Sequence, residues 1–197
     1  MTDSPQTLLY VFVSAMIIEN LVFARAVGVD DVIERTRTYR RILQFGSVMA
    51  VTTTLSSLFI WVFKSFLEET PYWVLLRAPA TVFCLAASFI LVWLILHSFR
   101  PRKKSFDLIV ISASFNGASL GTILLAFANY QRLLQIIVYG LGCSAGLIIA
   151  MFLIHSGRER LEISNVSKSF SGLPITLIYI GILSLAVYGL IGHQLPT

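Results

Sequence analysis

Few residues in this sequence could carry chemistry, and most of those lie within apolar runs. Glu19 and Asn20 stand inside a hydrophobic run that begins near residue 8. If that run crosses a bilayer, the carboxylate costs at least about 2.5 kcal/mol on insertion scales and marks a function or a partner. Two readings of Glu19 follow. It is a proton or cation relay, or a group facing a cofactor; or it is neutral, protonated and bonded to a neighbouring helix. Asn116 lies in the middle of another run, between Ser112 and Gly121, that is rich in small and hydroxyl side chains. Gly117 and Gly121 are spaced GxxxG, as are Gly142 and Gly146. That spacing lets helix backbones approach closely in a membrane. Ordinary tight packing is expected at Gly142 and Gly146, and a helix break is expected where Asn116 and Gly117 adjoin. Cys84 and Cys143 sit within apolar runs with no CxxC and no neighbouring histidine, which predicts buried apolar thiols and no metal site. His97, His155 and His193 fall near span ends and read as interfacial. The sequence has no phosphate-binding glycine loop, nucleophile elbow or HExxH motif, so no catalytic residue is assigned.

The elements that position these residues are set by composition. Of 197 residues, 56% are hydrophobic and 13% charged, with mean hydropathy +0.81. That is about half the charge of a soluble domain, so the outer surface must meet lipid. A membrane helix needs about 20 apolar residues. Six segments qualify: 8–27, 42–66, 72–98, 106–128, 133–154 and 174–191. Backbone groups in hydrocarbon must be satisfied within the segment, so these are helices. The expected fold is therefore an all-α integral membrane protein with six transmembrane helices. The first seven residues carry Asp3 and no Lys or Arg, which argues for a retained first helix rather than a cleaved signal. Pro79 is expected to kink the third helix and Pro174 to open the sixth.

The basic residues set the orientation. Arg25, Arg35, Arg37, Arg40 and Arg41 flank the first connection. Arg100, Arg102, Lys103 and Lys104 flank the third, and Arg158, Arg160 and Lys168 the fifth. These are 12 of the 15 Lys and Arg residues, so connections one, three and five face the cytoplasm and both termini lie outside. The same placement explains the basic pI of 9.5 without nucleic acid as a partner. Asp30, Asp31 and Glu34 balance the nearby arginines. Arg41-Ile42-Leu43-Gln44 and Arg132-Leu133-Leu134-Gln135 open the second and fifth helices. Three helices separate them, as an inverted 3+3 repeat requires, with halves about 1–98 and 99–197.

Several motifs together resemble the Rnf/Nqr family of membrane subunits, in its RnfA/NqrE-like branch. They are Tyr139-Gly140-Leu141-Gly142; Arg158-Glu159-Arg160-Leu161-Glu162; Asn165-Val166-Ser167-Lys168-Ser169-Phe170-Ser171-Gly172; and Ser184-Leu185-Ala186. Asn20-Leu21-Val22, Arg25-Ala26-Val27-Gly28, Leu76-Arg77 and the Asn116 to Gly121 run extend the likeness to nearly the whole chain. The resemblance implies a six-helix inverted repeat in the bacterial cytoplasmic (inner) membrane, with the first and fourth helices broken. It implies a homologous, oppositely oriented partner subunit within a larger ion-translocating electron-transport complex. Other subunits would bring flavin and iron–sulfur groups, and the paired membrane subunits would share a [2Fe–2S] cluster held by one thiolate from each broken helix. Here the corresponding positions are Asp30 and Gly117, and the family's first Asn and its loop Pro are Glu19 and Ser167. Glycine has no ligand atom and a carboxylate is a hard ligand, so neither replaces a thiolate. The expectation is a redox-complex subunit without its own cofactor, with Glu19, Asn20 and Asn116 near an ion path. The alternatives are a transporter of ions or small solutes, or a purely structural subunit.

Overall fold

The computed structural model describes residues 4–30, 33, 38–68, 71–99, 104–130, 132–163, 167 and 170–192. Among the described residues all regular structure is helical. Helix α1 (Pro5–Val13) continues into a π-helical turn, Ser14–Ile18. Then come α2 (Tyr39–Glu68), α3 (Trp73–Phe99), α4 (Lys104–Ser114), α5 (Gly117–Asn129), α6 (Leu133–Ile163) and α7 (Leu173–Ile191). Helices α4 and α5 are the two halves of the fourth span, interrupted at Phe115 and Asn116. Arg35, Arg37, Arg100, Arg102, Lys103, Lys168, Asp31, Glu34, His193 and residues 165, 166 and 169 of the family-like motif lie outside the described residues.

Four helical stretches are long and apolar enough to cross a membrane: Tyr39–Lys64, Trp73–Ser98, Asp107–Asn129 and Leu133–Leu161. Two shorter apolar helices, Pro5–Ile18 and Leu173–Gly189, accompany them. The chain is a helical membrane protein, and its outer surface fits that solvent. Leu75 is 75% exposed and Leu185 73%, which water would not tolerate over whole helix faces.

Local sequence explains the ends. Ser4 caps α1 by accepting from the Thr7 N–H at 3.3 Å, and Pro5 occupies the first turn, where a missing N–H costs nothing. Pro174 does the same for α7. Pro79 lies inside α3 without ending it. Helix α6 extends nine residues past the expected end at 154: Arg158, Glu159, Arg160 and Leu161 are good helix formers, and Gly157, the one glycine in the extension, does not end it. The first span departs furthest from a plain helix. Its regular part ends at Ile18, and residues 19–28 run as consecutive turns.

Lipid gives little hydrophobic drive between helices, so packing and buried polar bonds hold them together. Helices α2 and α6 form the centre, against which α1, α4 and α5 pack. On α2, Thr52, Thr53, Ser56 and Ser57 are all buried. Thr52 donates to the Val48 carbonyl, Thr53 to Met49 and Ser57 to Thr53. Bonds one turn back satisfy these hydroxyls within their own helix. Ser56 instead donates to Ser88 on α3 at 2.8 Å, joining the two helices.

Candidate functional site at the two helix breaks

The break in the first span is built around Asn20, which is only 3% exposed. Its Nδ2 donates to the carbonyls of Met16 and Gly146, both at 3.0 Å. Its Oδ1 accepts from the N–H groups of Val22 at 3.0 Å and Phe23 at 3.2 Å. The side chain thereby supplies partners that the helix no longer provides and ties the break to α6. Beyond it, Ala26 takes φ 53° and Gly28 φ 79°. The left-handed conformation costs a non-glycine residue about 1–2 kcal/mol, so Ala26 is held by its surroundings.

Two GxxxG pairs seat this segment. A Cβ on Gly142 would lie 2.7 Å from the Phe12 carbonyl oxygen, and one on Gly146 2.6 Å from the Met16 carbonyl oxygen. Helix α1 therefore lies directly on the backbone of α6. On α5, Gly121 receives the tips of Val27 and Leu21, while Gly117 faces the Gly28 nitrogen and Val27. Gly28 in turn abuts the Ala118 Cβ. The broken segments of the first and fourth spans thus meet backbone to backbone.

The fourth-span break follows capping chemistry. Asn116, buried and extended at φ −125°, caps α5 by accepting from the Ser119 N–H. Ser119 donates at 2.7 Å to the carbonyl of Ala113, on the other side of the interruption. Ser114 Oγ, also buried, has no hydrogen-bond partner among the described residues.

Glu19 occupies the first turn residue of the break with its side chain 27% exposed. Its Oε2 accepts from Arg25 Nη2 at 3.2 Å and from the Tyr139 hydroxyl at 3.0 Å. The carboxylate is bonded to a neighbouring helix, and it is also paired with a cation. Sequence alone does not bring Arg25 and Tyr139 to Glu19. The only hint is that Tyr139 belongs to the Tyr-Gly-Leu-Gly motif in the first half of α6. Tyr139 is fully buried and packs its ring 5.1 Å from Tyr130.

The remaining candidates stay apart. Cys143 lies in the main core, and Cys84 packs with Ile60, Leu85, Ile123 and Phe127 in a second cluster. His155 contacts Glu159 and the Tyr39 ring near the end of α6, while His97 stacks on Trp93. Asp30 is exposed beyond Gly28. Among the described residues no three His, Cys, Asp or Glu side chains converge as a metal site would need.

The likeness of the chain to known proteins agrees with a helical membrane protein. The family model for the Rnf-Nqr subunit, a membrane protein, matches residues 8–193. The chain belongs to the Rnf-Nqr subunit family. It is 26% identical over 190 residues to the A-type subunit of the Na(+)-translocating ferredoxin:NAD(+) oxidoreductase complex of Acetobacterium woodii, covering 96% of this chain and 99% of that one. It is 30% identical over 190 residues to the A-type subunit of the ion-translocating oxidoreductase complex of Pectobacterium atrosepticum, covering 92% and 94%. The corresponding protein of Syntrophotalea carbinolica is 28% identical, over 95% and 97%. Against this family background the donor set at the breaks does not fit an iron–sulfur half-site. One of the two positions where the resemblance implies thiolates is a glycine packed toward backbone, and the other is a carboxylate.

Proposed function

We propose that this chain is the A-type membrane subunit of an ion-translocating ferredoxin:NAD oxidoreductase complex. The observation that carries this reading is the near end-to-end likeness to subunits of such complexes, combined with two broken spans that meet at their interruptions. In this reading the chain sits in the bacterial cytoplasmic membrane with both termini outside. Its two halves form an inverted repeat, and it pairs with a homologous subunit of opposite orientation. Flavin and iron–sulfur groups reside on its partner subunits.

The chain's own residues then shape the path rather than carry electrons. Asn20 and Asn116 hold the interruptions open. Beside Asn20, Glu19 is a partly exposed carboxylate placed for a cation or proton to approach. Its bond from Tyr139 fixes the carboxylate's direction, and Arg25 balances its charge when no ion is present. Non-helical backbone at membrane depth is tolerated where protein buries it or a water-filled cavity borders it. The exposure of Ala24, Arg25 and Gly117 supports a partner or a path on that side.

Deleting the gene tests the proposal. Inverted membrane vesicles should lose ferredoxin-dependent NAD reduction and the ion uptake coupled to it, and the intact gene should restore both. Full activity without the gene would reject the reading. A second reading, a transporter working without redox partners, draws on the missing thiols at positions 30 and 117, and it predicts solute or ion uptake by the chain alone in liposomes.

A further inference from the structure

We infer that this chain is an iron-free member of its family, in which an Arg25–Glu19–Tyr139 clasp holds the first-span break that a metal ligand would otherwise pin. The inference rests on the reading above for its family comparison, but not on the identity of the partners.

The first ground is the donor set. Asp30 is a single exposed carboxylate. A Cβ on Gly117 would fall 3.6 Å from the Gly28 nitrogen and from Val27, so what faces that position is backbone and a methyl group. Neither cysteine substitutes, because Cys84 and Cys143 sit in separate packing clusters, each on a helix other than the two that are broken. A soft thiolate site cannot be assembled from one hard oxygen ligand and a residue with none.

The second ground is that the break has its own fastenings. Arg25 and Glu19 stand six residues apart on either side of the turns, and their 3.2 Å contact closes the interrupted segment on itself. Tyr139 then ties the same carboxylate oxygen to α6 at 3.0 Å. Asn20 adds a second tie to that helix, at the Gly146 carbonyl. The interruption is thus crossed by one side-chain link and tied to α6 by two more, and none of the three needs a metal. The pair is partly exposed, Arg25 to 40% and Glu19 to 27%, so it closes the segment as a modest surface pair does, with the Tyr139 bond and the Asn20 tie adding to it.

The test uses the full-length chain purified in mild detergent together with its homologous membrane partner, because a shared cluster would need both, with metal analysis and thermal unfolding measured together. The pair should contain well under one iron and no acid-labile sulfide, and its melting midpoint should not change when cells are grown with limiting iron. Glu19→Gln and Arg25→Gln should each lower the midpoint by at most about 2–4 °C, and the double variant should lose clearly less than the sum. Glu19→Gln keeps an acceptor for Tyr139, so it isolates the charge pairing from the hydrogen bond. Bound iron with sulfide would overturn the inference, as would strictly additive midpoint losses. Neither result would touch the proposed function, which depends on the partners that accompany the chain.

Discussion

Replacing Asn20 with leucine removes the amide with little change in side-chain length. The loss follows from what that amide satisfies. The N–H groups of Val22 and Phe23 point at its Oδ1, and a carbon in its place leaves both without that partner inside a non-aqueous interior. Leaving a buried donor unsatisfied costs about 1–3 kcal/mol. Two such groups at about 2 kcal/mol each sum to roughly 4 kcal/mol. The bond to Gly146, which anchors the break to α6, is lost as well. For a chain of this length a destabilisation of 1 kcal/mol lowers the melting midpoint by about 2–4 °C. The Asn20→Leu chain should therefore melt roughly 8–16 °C lower, followed by tryptophan fluorescence in detergent. A midpoint within about 2 °C of the native one, less than 1 kcal/mol is worth, would refute the claim that this amide holds the break.

Other consequences follow from the same geometry. Gly142→Ala and Gly146→Ala place a methyl against backbone carbonyls, which cannot move aside, and should cost about 1–3 kcal/mol in thermal unfolding. Gly117→Ala, whose nearest neighbours would lie at 3.6 Å, should melt close to the native chain. Asn116→Ala removes one cap and should cost about 1 kcal/mol, measured the same way, well below the loss at Asn20. Glu19→Gln in the assembled complex should lower ion uptake per electron by more than half while the subunits still purify together, and unchanged coupling would remove Glu19 from the path. Reporter fusions at both termini should be active only outside the cytoplasm, whereas a fusion near residue 36 should be active only inside it.

The sequence is most informative where a single residue type dictates local backbone. Asn116 beside Gly117 marks the fourth-span break, because a capping side chain followed by a small flexible residue favours a new helix start. The two GxxxG pairs identify residues that can face another backbone, although spacing alone does not name that backbone as α1 and its π-helical turn for one pair and the turns at 21–28 for the other. The first-span break is less legible from residues alone. Leu21, Val22 and Phe23 are as apolar as any helix interior, and only the amide of Asn20 diverts the N–H groups of the latter two. Least legible is the pairing of Glu19 with Tyr139, 120 residues apart. No periodicity encodes that contact. It depends on how closely the glycines of α6 let α1 approach. Arg25 is visible as part of a basic flank, yet it turns back to Glu19 because the segment between them is not helical.

The central claim is that this chain works in the membrane alongside redox partners. The most direct measurement is affinity purification of the tagged chain from native membranes in mild detergent, with mass spectrometry of what accompanies it. The account predicts a homologous second membrane protein together with flavin- and iron-bearing subunits, in constant proportion. Recovery of the chain alone, or only with copies of itself, would contradict it.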